Sequence, residues 1–156
     1  MYNTSLRILN DPQEAEDVMQ DSFIDAFRKI TGYNGSGSFG GWLRRIVVNN
    51  SLNALKKKRN EFSFEEQRFD VAEDENNIYD DNIEYRIEEV KKAIGKLQES
   101  DRIIISLFLF EGYDHDEISQ ILNISNNTSR TRYSRAKSRL LHILTVSRAE
   151  SIFNLN

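Results

Sequence analysis

The sequence predicts an all-α protein of two small helical domains joined by a flexible acidic linker. Three observations carry that expectation. A single proline and seven glycines in 156 residues leave few places to break a helix. Apolar residues recur at every third or fourth position on either side of the chain's middle. Between these periodic parts lies a stretch without period that carries Glu65, Glu66, Asp70, Glu73, Asp74, Glu75, Asp80 and Asp81, as a solvated connection would. The expected boundaries are 1–60 for the first domain, 61–81 for the linker, 82–148 for the second domain and 149–156 for a tail.

The first domain opens with Met1 to Leu9, which has helical spacing but is too short to be stable alone. In "NDPQEAEDVMQDSFIDAFRKITG", Asp11 can cap a helix, Pro12 suits its first position and Glu14 stands three residues after the cap. Ala15, Val18, Met19, Phe23, Ala26, Phe27 and Ile30 then make one stripe expected to be buried, and Gly32 ends the helix. "TGYNGSGS" is a Gly/Ser loop whose Ser38 can cap "FGGWLRRIVVNNSLNALKKKR", with Leu43, Ile46, Val47, Leu52 and Leu55 on its apolar face.

In the second domain, periodicity resumes with Ile83, Ile87, Val90, Ile94 and Leu97. Ser100 is the expected cap of "DRIIISLFLFEG", apolar nearly all round like the centre of a bundle, and Gly112 stops it. Asp114 and Glu117 form a capping pair for a short helix ending near Leu122. Asn123 can turn the chain in the left-handed conformation, and Ser125 restarts a helix. Two helices joined by so short a turn, the second one basic, form a helix-turn-helix pattern.

The formal net charge of −4 hides a basic–acidic–basic order. Trp42 to Arg59 and Arg130 to Arg148 contain no acid, which suits two salt-sensitive contacts with a polyanion. Turning the last helix by 100° per residue puts Ser129, Tyr133, Ala136, Leu140 and Ile143 on a packing stripe. The opposite face presents Asn127, Thr131, Ser134 and Ser138, bordered by Arg130 and Lys137 on one edge and Arg135 on the other. Short polar groups flanked by long cations fit the major groove, where arginine pairs with guanine or reaches phosphate. Arg132 has two readings, a DNA contact or a partner for Glu117.

Other chemistry finds little support. Without cysteine there is neither disulfide nor thiolate metal site, and two histidines are too few for an imidazole site. "DHDE" is accounted for by capping, "GSGSFGG" lacks the Lys-Ser/Thr ending of a P-loop, and no nucleophile–base pair assembles. The expectation is a non-enzymatic protein without cofactor or metal. No apolar run approaches the roughly 18 residues of a membrane span, and no signal peptide is evident, so a cytoplasmic location is expected.

Together these segments resemble the bacterial RNA polymerase sigma factors of the compact extracytoplasmic-function (ECF) group of the sigma-70 family. "AEDVMQDSFIDAFRKI" resembles the polymerase-binding helix. "SFGGWLRRIVVNNSLNALKKKR" resembles the segment that recognises and melts the minus-ten element, and "LQESDRIIISLFLFEGYDHDEISQILNISNNTSRTRYSRAKSRL" the minus-thirty-five module. The resemblance implies that Asp17, Gln20, Asp21, Phe23 and Asp25 meet core RNA polymerase. It implies that Tyr33, Asn34 and Ser36 capture an unstacked promoter base, with Arg44, Arg45, Asn49, Asn53, Lys56 and Lys57 on the surrounding DNA. Trp42 either stacks near the melted junction or fills the core. Asn127, Arg130, Thr131, Ser134, Arg135 and Lys137 would read the minus-thirty-five element. An anti-sigma factor is an implied partner besides core polymerase and promoter DNA.

The sequence departs from the family at two places. Chain before "YNTSLRILNDPQEAEDV" is usual, so the first domain is expected to lack part of its N-terminal helix. Ser129 also stands where an apolar packing residue is common. The competing reading is a stand-alone helix-turn-helix regulator, for which the first domain would be superfluous.

Overall fold

The computed structural model describes residues 1–61 and 87–153, and all of the described secondary structure is helical. In chain order there are α1 (Tyr2–Leu9), α2 (Pro12–Lys29) with a 3-10 turn after it (Ile30–Gly32), α3 (Phe39–Glu61), α4 (Ile87–Lys96) and α5 (Glu99–Ile105). α5 runs on as a π-helical stretch (Ser106–Phe110), followed by α6 (His115–Leu122) and α7 (Asn126–Phe153). The linker expected over 61–81 lies, but for Glu61 at the end of α3, outside the described residues, as does the expected periodic position Ile83.

In the first module α2 starts where its sequence predicts. Asp11 accepts the backbone N–H of Gln13 and Glu14 at 3.0 and 3.1 Å, with Pro12 in the first turn. The stripe expected to be buried along α2 is divided, however. Ala15, Ser22 and Ala26 are buried, whereas Phe23, Phe27 and Ile30 are exposed, Phe27 by 77 %. Small side chains let α2 approach α1 and α3 closely, and this rotates the aromatic residues off the contact. Ser22 is held by Val18 and Asn50, and Ser51 by Ser5 and Val47, so the buried hydroxyls are paired.

In the second module α4, α5 and α6 all pack on α7. The cap of α5 is Gln98, not the expected Ser100, which falls inside the first turn. Ile103, Ile104, Ile105 and Leu107 are buried, but the π-helical stretch turns Leu109 and Phe110 outward. Gly112, at φ 74°, ends the element in a backbone region that only glycine enters freely. Arg139 of α7 donates to buried Asp101 of α5 at 2.6 Å. α7 continues through Phe153, past the expected start of the tail.

The modules touch. Ile8, Leu9, Val48, Leu52 and Leu55 of the first share one apolar core with Ala93, Ile94, Leu97, Ile103 and Ile104 of the second.

Candidate nucleic-acid interface

The helix-turn-helix is built by local chemistry. Asp114 accepts the backbone N–H of Glu117 at 2.8 Å while the Glu117 carboxylate accepts that of Asp114 at 3.0 Å, so each satisfies a donor at the start of α6. Asn123 takes the left-handed conformation at φ 53°, and Ser125 caps α7 by accepting the Thr128 N–H at 3.0 Å. The packing stripe of α7 seats as predicted, with Ser129, Ala136, Leu140 and Leu144 buried and Tyr133 and Ile143 half-buried. Ser129 replaces an apolar contact with a bond: its hydroxyl meets His115 Nδ1 at 2.9 Å, and the His115 ring stacks on Phe108 at 4.8 Å. Burial raises the Tyr133 phenol pKa beside this cluster.

Asn127, Arg130, Thr131, Ser134, Arg135 and Lys137 are all exposed on the opposite face. Arg132 is also exposed, and its expected partner Glu117 has one carboxylate oxygen committed to the α6 cap. Sequence reasoning missed a support for Arg130. Asn126 Oδ1 accepts from Arg130 Nε at 2.8 Å, and the Asn126 amide in turn donates to Asp116. This relay anchors the guanidinium through its Nε and does not use its terminal nitrogens. The i,i+4 spacing of Asn126 and Arg130 was its only sequence signal.

In the first module, the loop before α3 is shaped by its own side chains. Asn34 Oδ1 accepts from both the N–H and the hydroxyl of Ser36, at 3.0 and 2.6 Å, and the Tyr33 hydroxyl donates to the Gly37 carbonyl at 2.8 Å. Ser38 caps α3 through the Gly41 N–H at 3.0 Å, as predicted. Trp42 is half-buried and lies in a surface cluster, 5.4 Å from Tyr33 and 5.5 Å from Phe39 between ring centroids. Phe39, exposed by 47 %, is an aromatic neighbour of the loop that sequence reasoning passed over.

Arg45, Asn49, Asn53, Lys56 and Lys57 are exposed along α3. Arg44 differs: its Nε lies 3.4 Å from the Glu111 carboxylate and its Nη1 donates to the Glu111 carbonyl at 3.2 Å. Lys58, also on α3, pairs with Glu14 at 2.7 Å, and that bond raises its pKa.

On α2, Asp17, Gln20, Asp21 and Phe23 are exposed. Asp25 is half-buried, accepting from Asn50 at 3.2 Å and lying 3.9 Å from Lys29, so part of its charge serves the module itself. Ile24, Phe27 and Ile30 join Phe23 as exposed apolar side chains along the same stretch.

A helix-turn-helix with a basic and polar outer face, on the same chain as a second helical module that leaves an apolar helix face exposed, is the build of a DNA-binding protein with a further macromolecular partner. Family comparisons make the assignment specific. Residues 1–61 match the Sigma-70 region 2 family model and residues 87–140 the Sigma-70, region 4 model. The RNA polymerase sigma-H factor of Pseudomonas aeruginosa is 30 % identical over 145 residues, covering 85 % of this chain and 74 % of that protein. The ECF RNA polymerase sigma-E factor of Haemophilus influenzae is 30 % identical over 131 residues, covering 78 % and 69 %. Among solved structures, the sigma factor RpoE in complex with the anti-sigma factor NepR from Bartonella quintana matches with a TM-score of 0.66. That match has 23 % identity and covers 93 % of this chain and 89 % of that one. The chain belongs to the ECF group of the sigma-70 family, the sigma factors that direct transcription initiation.

Proposed function

We propose that the two modules divide promoter recognition between them, with residues 1–60 binding core RNA polymerase and the minus-ten element and residues 82–148 binding the minus-thirty-five element. The observation that carries this reading is the exposed apolar face of α2, with Asp17, Gln20 and Asp21 around it, which DNA binding alone does not require. Core RNA polymerase is its partner. Tyr33, Asn34, Ser36 and Trp42 surround a flipped base, which aromatic stacking holds with roughly 1–3 kcal/mol. Arg45, Asn49, Asn53, Lys56 and Lys57 follow the strand beside it, and Arg44 joins them when released from Glu111. Asn127, Arg130, Thr131, Ser134, Arg135 and Lys137 face the upstream major groove.

The RpoE–NepR complex supports an anti-sigma factor as a further partner of this chain, and a cytoplasmic location accords with such work. Among the described residues no helix is long and apolar enough to cross a membrane.

Gel filtration with core polymerase tests the reading. Phe27→Asp is expected to leave the fold intact, because the side chain is exposed by 77 %, while co-elution falls by more than about tenfold, as for an interface anchor. A chain that bound promoter duplex tightly by itself and never co-eluted with polymerase would refute it.

A further inference from the structure

Asp116 is an acid beside a face that otherwise presents cations and short polar groups. It is exposed in the first turn of α6, where an acid favours the helix dipole. The dipole does not account for where its carboxylate is directed. Asp116 Oδ1 accepts from the Asn126 amide nitrogen at 2.5 Å, and Asn126 Oδ1 accepts from Arg130 Nε at 2.8 Å. A chain of bonds therefore runs from α6 through the first residue of α7 to an exposed cation one turn further along.

The two ends of this chain dictate its middle. A carboxylate only accepts and a guanidinium only donates, so the side chain between them must donate on one side and accept on the other. The asparagine amide does both in one rigid plane, and its two charged neighbours fix which way it faces. The Asp116 charge also polarises the amide, making its oxygen a stronger acceptor for Arg130.

A neutral spacer matters for the donors left over. A carboxylate meeting Arg130 directly would take two of its N–H groups, as fork-to-fork pairs do, and offset its charge. The amide oxygen takes the Nε–H alone, so Nη1 and Nη2 stay outside the relay. Those two donors can pair end-on with O6 and N7 of a guanine. An exposed arginine without such a hold forfeits up to about thirtyfold in binding constant when its rotamers are fixed, and a phosphate satisfies it as well as a base. The register of the two helices is itself defined. Asn123 turns the chain, Ser125 caps α7 through the Thr128 N–H, and buried Ser129 meets His115, which together keep Asp116 beside Asn126. Thr131, next to Arg130, has no such tie to α6, since its hydroxyl donates within α7 to the Asn127 carbonyl at 3.0 Å.

We infer, on the reading of α7 as the helix that faces the upstream major groove, that Asp116 and Asn126 are specificity-determining positioning residues. By holding Arg130 Nε they commit its terminal nitrogens to one guanine of the upstream element in place of the phosphate backbone.

Holoenzyme reconstituted from core RNA polymerase and the full chain tests this. A promoter is selected with the wild type from a randomised library, and every single-base change of its upstream element is then transcribed by each variant. In the wild type one position should favour guanine by about tenfold or more, and Arg130→Ala should abolish that preference. Asn126→Ala should reduce it to under about threefold at the same position, leaving the other positions unchanged and the chain folded by thermal unfolding. Asp116→Ala should give a smaller loss there, and Asp116→Asn, which keeps an acceptor for the Asn126 amide, should retain the preference. Asp116→Ala combined with Asn126→Ala should be no worse than Asn126→Ala alone, as expected of residues acting in series. Undiminished guanine preference in Asn126→Ala would overturn the inference. So would a loss spread evenly over the element, as a merely destabilised helix would give, or a loss at a position other than that of Arg130, which would make Asn126 a base reader itself. Additive losses in the double variant would overturn the part given to Asp116. If Arg130→Ala altered no position, the assignment of α7 to the upstream element would fall, and the positioning role with it.

Discussion

Arg130 and Lys56 are both exposed cations, yet their settings differ. Arg130 is braced by the Asn126–Asp116 relay, whereas Lys56 is an exposed ammonium on a flexible stem. A braced guanidinium can pair with a base edge, so Arg130→Ala is expected to cost about 1–3 kcal/mol on the cognate upstream element and little on scrambled DNA. Lys56→Ala should instead weaken binding to every sequence and lower the salt slope by about one unit. Binding titrations over a salt series distinguish the two. Tyr113 provides a stability prediction. Its buried hydroxyl has no partner, and burial raises its pKa, partly opposed by Arg45. Since the folded pKa lies above the unfolded value of about 10, ionisation costs the folded state nothing below that pH, and stability falls as pH rises from there through the folded value. Tyr113→Phe should be at least as stable as wild type at neutral pH and lose less stability in alkali, as read by thermal unfolding.

At the scale of elements, α7 and α2 show the same rule with different outcomes. Each has a closely packed face of small residues, Ser129 and Ala136 on α7 and Ala15, Ser22 and Ala26 on α2. On α7 the hydroxyl of Ser129 is needed because His115 lies against it. Ser129→Ala leaves that ring nitrogen without its partner, and the expected loss is about 1–3 kcal/mol by denaturant unfolding, with the recognition helix loosened rather than displaced. On α2 the small face leaves the aromatic residues outside, and a helix whose largest apolar side chains face water is waiting for a partner. The π-helical continuation of α5 works similarly, turning Leu109 and Phe110 outward and placing Glu111 under the first module.

For the molecule as a whole, the shared core makes the two modules one cooperative unit. Thermal unfolding of the wild type is therefore expected as a single transition, and Glu111→Gln should resolve it into two, one for each module, in calorimetry. The charge pattern acts at the same scale. A net charge of −4 says nothing of DNA affinity, because the acid-free faces of α3 and α7 act locally while much of the acid lies elsewhere along the chain.

Local chemistry was legible without coordinates. The caps at Asp11, Ser38 and Asp114, the turns at Gly112 and Asn123 and the packing stripe of α7 each depend on residues a few positions apart, so spacing alone reveals them. The exposed polar face of α7 followed from the same periodicity. What periodicity could not show is which of two apolar faces is covered when a helix has both, and α2 was misread for that reason. Neither could it pair Arg44 with Glu111, 67 residues away, nor send Arg102 to the carbonyl of Ile8. Such partners are chosen by how whole modules meet, where burial of one ionised side chain obliges another to answer it, and only the tertiary structure fixes that meeting.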